Sequence, residues 1–485
     1  MRFRAIVLAS ASLLLLASSA GAAPAFCSDV GGSVGFGVSS FGSLRDWAPA
    51  AKQQYGADFR AIYVYILAGG MDDPANFETY YVRPFLDTAE QMGSTPVCTF
   101  YQLLDLGKAA GLQGDEAAIV QQALQDPTLM RTYFDNFIWL LQIAADYPPP
   151  VVVHVEPDSW GFMMWAMGVE GNADPTSVPV QVRSSGHPDL ASCATCDDNA
   201  AGLGRALVTL RDQYAPAVRL GWHASNFRTG THPEVVASFY AQMGSWDLLV
   251  GEQPHVDPVP TAWWEPWDEA ALQVNLQWMS VVTASAGLPL VLWQMPIGTT
   301  DYHLIGNPSD LTMLTRFAEA GVVGVLFEHQ NFNNVANPDD YRADGDFGTV
   351  PPADHADACG TAACMRQRVA DYSAAPLAWP DGSICTLGGA GSGGGSGAGG
   401  PGAGGPGGSG QGGDCPPPCG AGAAADASSE DSGCGCRLGG VPGSHGAAGL
   451  GLAGLLLLGV RRRRRDPQRG GETGRSASCT SRVTA

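Results

Sequence analysis

The stretch Val151-Val152-Val153-His154-Val155-Glu156-Pro157-Asp158-Ser159-Trp160 reads as a buried strand that runs straight into acid. Side chains alternate along a strand, so Val151, Val153 and Val155 share one face while His154, Glu156 and Asp158 share the other. Pro157 has no amide hydrogen to give to a ladder, so the strand ends there. Carboxylates at the C-terminal tip of an apolar strand stand where α/β folds place their chemistry.

Working outward, similar runs recur on both sides. Residues 34–38, 61–67 and 96–102 precede the stretch, and 218–223, 247–252, 288–294 and 322–328 follow it. They are near-continuously apolar, as parallel strands covered on both faces are. Helical patterns fall between them at about 44–55, 76–92, 198–213 and 362–374. Asp126-Pro127 supplies a cap and first residue for another, in which Met130, Phe134, Phe137, Leu141 and Ala145 recur at helical spacing. A Gly-, Pro- and Ser-rich excursion over 161–196 interrupts the series. Eight strand–helix units over 33–376 predict a (β/α)8 TIM barrel with long loop insertions. An open doubly wound sheet is the competitor, but no Gly-x-Gly-x-x-Gly turn follows the first strand.

The flanks lie outside this fold. Arg2 and Arg4, the apolar run Ile6 to Ala17 and the small residues Ala20-Gly21-Ala22 make 1–22 a signal peptide. The barrel domain is expected over 27–386. Residues 387–432 are dominated by Gly, Ser, Ala and Pro, the composition of a disordered linker. A hydrophobic run then ends in Arg461 to Arg465, giving an anchor segment over 433–465 and a tail over 466–485. A net charge of −21 argues against nucleic acid as a partner. Twelve cysteines in an exported chain favour disulfides over metal, and pairs are expected for Cys193–Cys196, Cys359–Cys364 and Cys27–Cys385, with Cys98 free.

The expected strand tips gather a particular kit. Glu156, Asp158, Glu252 and Glu328 are candidate catalytic carboxylates. Trp222, His223, Gln253, His255, Trp293, Gln294, Tyr65 and Gln102 are candidate substrate-binding residues. Glycoside hydrolysis needs one carboxylic acid to protonate the leaving oxygen and a second carboxylate as base or nucleophile. Aromatic faces hold the apolar face of a sugar. Trp263, Trp264 and Trp267 would extend such a cleft. His154 lies one layer deeper and is expected as a hydrogen-bonded interior residue. The reading is a glycoside hydrolase acting on a polysaccharide or glycan, without cofactor or metal. Two alternatives stay open: a non-catalytic carbohydrate-binding barrel, and a metal-dependent hydrolase using His154, His223 and His255.

Two resemblances add to this. Glu156-Pro157-Asp158-Ser159 after a β-branched strand resembles a segment of glycoside hydrolase family 6, the cellulases, and Tyr101-Gln102-Leu103-Leu104-Asp105 is similar to that family's Tyr-Asp-Leu-Pro-Asp. The resemblance covers about 95–165 and implies that Asp158 is the proton donor. Gln102 stands where the family has an Asp, so the chain is read as a distant relative or look-alike and not as a cellulase. Separately, Gly433-Cys434-Gly435-Cys436, Leu450 to Val460 and Arg461 to Arg465 resemble, in order, the myxobacterial C-terminal sorting tag. That implies export, display at the cell surface or outer membrane and attachment to the cell envelope, with processing near Cys436.

Overall fold

A computed structural model describes residues 27, 32–40, 44–147, 150–166, 173–226, 232–251, 266–297, 303–306, 310–328, 335–342, 360–380 and 383–387. The strands are β1 (Gly35–Ser39), β2 (Ala61–Leu67), β3 (Thr95–Tyr101), β4 (Val152–Val155), β5 (Arg219–Ala224), β6 (Leu248–Gly251), β7 (Leu290–Met295) and β8 (Val322–Phe327). They pair in parallel and in sequence order, and β1 pairs with β8 to close the ring. The (β/α)8 barrel is therefore present, with no edge strand left to cover. Eight strands leave an interior just wide enough for side chains to fill.

Helices wrap the outside: α1 (Leu44–Tyr55), α2 (Arg83–Met92), α3 (Leu103–Ala109), α4 (Glu116–Leu124), α5 (Pro127–Ala145), α6 (Ser159–Ala166), α7 (Ala200–Tyr214), α8 (Pro233–Tyr240), α9 (Glu269–Ala286), α10 (Thr312–Glu319) and α11 (Ala362–Ala374). Local signals set their ends. Asp126 accepts from the amides of Thr128 (2.8 Å) and Leu129 (3.1 Å), and Pro127 occupies the first turn of α5. Gly93 and Gly287 end α2 and α9 in the left-handed region, with φ of 64° and 66°. The excursion expected over 161–196 begins as helix, because α6 follows β4 after a single turn.

The alternation along the strands sorts the core into two shells. Val153 and Val155 of β4 join Phe100, Leu220 and Trp222 in the shell beneath the helices. Val152 joins Tyr63, Val97, Val250, Val291 and Trp293 inside the barrel. At the N-terminal end, Cys27 packs in that inner cluster, and Trp379, Ile384 and Cys385 lie against it. A disulfide joins Cys27 to Cys385 across 358 residues with Cα atoms 5.6 Å apart. It closes the barrel floor, opposite the mouth formed by the C-terminal strand ends.

Cys193–Cys196 is also bridged, with a Cα separation of 5.4 Å. Cys98 is a free, buried thiol whose pKa burial pushes up to about 12. Cys364 is disulfide-bonded, while its expected partner Cys359 lies outside the described residues. So do the signal peptide at 1–22 and everything from 388 onward, which takes in almost all of the expected linker and the whole anchor segment and tail. No helix among the described residues is long and apolar enough to cross a membrane.

Candidate active site

The β4 tip is built around Glu156. Its carboxylate turns away from the barrel axis toward the start of α3. Oε1 accepts from the amides of Gln102 (2.8 Å) and Leu103 (3.1 Å), and Oε2 accepts from the Ser159 hydroxyl (2.9 Å). These amides are unpaired donors at a helix start, so Glu156 serves as a cap supplied by a neighbouring loop. The residue is 1% exposed and holds a left-handed backbone with φ of 49°. Burial pushes its pKa up to about 8, against the pull of these three donors. Glu156 was expected on the face of His154; the left-handed turn breaks the strand's alternation there and buries the carboxylate against the start of α3.

Asp158, two residues on, is half-buried and lies beside Tyr65 and Tyr101 near the C-terminal ends of β2 and β3. The Tyr101 hydroxyl donates to it, and burial, with the Asp158 charge adding to it, holds the Tyr101 and Tyr65 pKa values well above the usual phenol range. From the far side of the ring, Glu328 follows β8, and the Tyr63 hydroxyl donates to its Oε2. The Glu328 amide donates to Met295 O at 2.9 Å, which fixes its backbone against β7. Three strands separate β4 from β8 in either direction around the ring.

An aromatic wall connects these carboxylates. The Tyr65 ring lies 6.4 Å from Tyr63, 6.2 Å from Tyr101 and 5.9 Å from Trp293, each in a tilted or edge-on arrangement. Trp293 is 5% exposed, and its indole N–H meets no acceptor among the described residues. Beside it Gln294 is exposed, with φ of 54°, and its Nε2 donates to the Tyr65 hydroxyl. The β7–β8 register shifts between Leu292 and Met295, and such a bulge re-aims the side chains at a strand tip.

One layer below, His154 and His223 face each other inside the barrel, with Nε2 to Nδ1 at 2.9 Å. The Thr99 hydroxyl lies 3.3 Å from His154 Nδ1. Both rings are fully buried, and burial together with the neighbouring imidazole holds the His154 pKa well below its ordinary value. Trp293 rests edge-on against both rings, at 5.2 and 5.7 Å. No group of three His, Cys, Asp or Glu side chains among the described residues could hold a metal ion.

Several expected site residues sit elsewhere. Trp222 is fully buried on the outer face of β5, against Trp160 (5.9 Å) and Tyr240 (5.3 Å). It neighbours the inward His223, and consecutive strand residues face opposite ways. Gln102 is also fully buried, donating to Ile66 O (2.7 Å) and accepting from Asn136 (2.8 Å). Neither lines the mouth. Trp267 is shell packing against His303 (4.7 Å) and Phe317 (5.8 Å). Glu252, Gln253, His255, Trp263 and Trp264 lie outside the described residues. Sequence reasoning missed Tyr63 and Tyr101 as the hydroxyls that hold the carboxylates. Their signal was present, since Tyr63 shares a face with Tyr65, and Tyr101 is the last residue of β3.

No family model and no curated protein matches the chain. Among solved structures it is similar to GH26C from a Muricauda species, 10% identical, covering 62% of this chain and 80% of that one with a TM-score of 0.39. It is similar to an exo-beta-1,4-mannosidase from Opitutaceae bacterium strain TAV5, 12% identical, covering 74% of this chain and 61% of that one with a TM-score of 0.43. A GH42 beta-galactosidase from G. stearothermophilus is 10% identical, with 74% of this chain and 57% of that one covered and a TM-score of 0.43. The chain thus spans less than two thirds of the last two. These are likenesses of fold, and the barrel itself rests on its own strand order.

Proposed function

We propose that this chain is an exported glycoside hydrolase that cleaves a polysaccharide or glycan by carboxylate acid–base chemistry. The observation that carries the reading is the pair Asp158 and Glu328. They come from strands on opposite sides of the ring, and each is held by a tyrosine hydroxyl of one aromatic mouth. In this reading Asp158 protonates the leaving oxygen, the role its place in Glu156-Pro157-Asp158-Ser159 has in the family 6 resemblance. Glu328 activates water or attacks the sugar. Tyr65, Tyr101 and Trp293 form the wall against which a sugar ring packs.

Export is supported by the signal pattern at 1–22 and by the Cys27–Cys385 and Cys193–Cys196 disulfides, which persist in oxidising compartments. The Cys434–Cys436 and Arg461–Arg465 pattern supports attachment to the cell envelope. The test is reducing-sugar release from a panel of mannan, xylan, β-glucan, galactan and chitin. On the polymer cleaved, Glu328→Gln lowers turnover by about 10²–10⁴, the usual worth of one acid–base group. Retention of a polymer in an affinity gel without any cleavage would instead mark a carbohydrate-binding barrel.

A further inference from the structure

Gln294 is one of two non-glycine residues with positive φ among the described residues, and it stands in the mouth with its amide exposed. Such a backbone is strained for a residue with a Cβ and persists where its surroundings over-determine it, often at binding sites. The amide makes one contact, to the Tyr65 hydroxyl. With Nε2 donating, the Gln294 carbonyl remains as an acceptor and the Tyr65 proton remains as a donor. With the amide turned over, the Tyr65 proton goes to Oε1, and the two free groups exchange roles. In either orientation the pair offers one donor and one acceptor side by side.

We propose that Gln294 and Tyr65 read two adjacent hydroxyls of a neutral pyranose ring. One hydroxyl donates to the free acceptor and its neighbour accepts the free proton. Two neighbouring features suit the same ligand. The Tyr65 ring belongs to the aromatic wall that takes the sugar's apolar face. Trp293, 5% exposed beside the pair, has a buried indole N–H with no acceptor among the described residues. The strain at Gln294 then has a function, since the left-handed turn and the β7 bulge swing its amide into the mouth. This inference rests on the glycoside hydrolase reading and specifies its substrate: a sugar with a free vicinal diol at the ring held beside Asp158.

The test uses the full exported chain and three variants, Gln294→Gly, Tyr65→Phe and Asp158→Asn. The probe is the panel polymer that wild type cleaves, or the one it retains in affinity gel electrophoresis. Gln294→Gly and Tyr65→Phe each raise KM, or the dissociation constant, about 3–10-fold, with kcat changed less than about twofold. Glycine takes a φ of 54° without strain, so Gln294→Gly melts at or above the wild-type temperature. A purely structural Gln294 gives the opposite pattern, a lower melting temperature with unchanged KM, and that overturns the proposal. So does an unchanged KM in both variants. Full turnover in Asp158→Asn overturns the assignment of the acid to Asp158 alone, while the affinity shifts still judge the pair. A chain that neither cleaves nor retains any polymer in the panel overturns both.

Discussion

At the tips of β4 and β7, Glu156 and Gln294 both hold a left-handed backbone, with φ of 49° and 54°, and they use it in opposite ways. Glu156 turns its carboxyl group into the buried shell, where two amides and a hydroxyl hold it. Gln294 turns an amide outward, where one tyrosine hydroxyl holds it and the rest of its hydrogen-bonding capacity faces the mouth. The same backbone irregularity is therefore a brace in one place and a reader in the other. What separates them is burial and the number of hydrogen-bond partners. A buried side chain held by three donors is out of a ligand's reach, while an exposed one held by a single partner is not.

The most severe way to strain this contrast is Glu156→Ala. It strands the Gln102 and Leu103 amides and the Ser159 hydroxyl in a dry site, and the expected loss is about 2–4 kcal/mol of stability. Chemical denaturation should show it as a shifted midpoint, while Gln294→Gly under the same conditions shows no loss. A smaller effect follows from pH. Burial raises the Glu156 pKa from 4.5 to about 8, so the folded state holds a proton that the unfolded chain releases. Its contribution is fully present below pH 4.5 and is lost as pH rises through about 8. Glu156→Gln cannot titrate, so the melting-temperature gap between wild type and this variant should narrow as pH rises from 5 to 8. A gap that widens over that range would mean that the three donors, and not burial, set the charge of Glu156. The smallest expected change is at Gln294→Gly, where relief of about 1–3 kcal/mol of strain is set against about 0.4–1 kcal/mol for the added freedom of the unfolded chain, leaving a small net gain.

The barrel was legible because its strands are covered on both faces, so each reads as a short apolar run without interruption. Alternation also placed Val153 and Val155 outward and His154 inward as found. The site was legible only up to the points where alternation breaks. Glu156 was expected on the face of His154, but its positive φ rotates the carboxylate toward α3, and nothing in Glu-Pro-Asp-Ser announces that turn. The bulge at Leu292–Met295 is equally silent, and it is what sets Gln294 beside Tyr65. Trp222 is a different case. Its neighbour His223 already claimed the inner face, so strict alternation would have sent Trp222 to the outer shell.

The central claim is that the β4 tip divides its labour, with Asp158 doing chemistry and Glu156 holding the scaffold. Measuring turnover and melting temperature together for Asp158→Asn and Glu156→Gln tests it most directly. The account predicts that Asp158→Asn loses about 10²–10⁴ in turnover at an unchanged melting temperature. Glu156→Gln should melt lower at pH 5 and keep turnover within about tenfold per folded molecule. The reverse result, a stable but inactive Glu156→Gln beside an active Asp158→Asn, would contradict it and return the acid to Glu156.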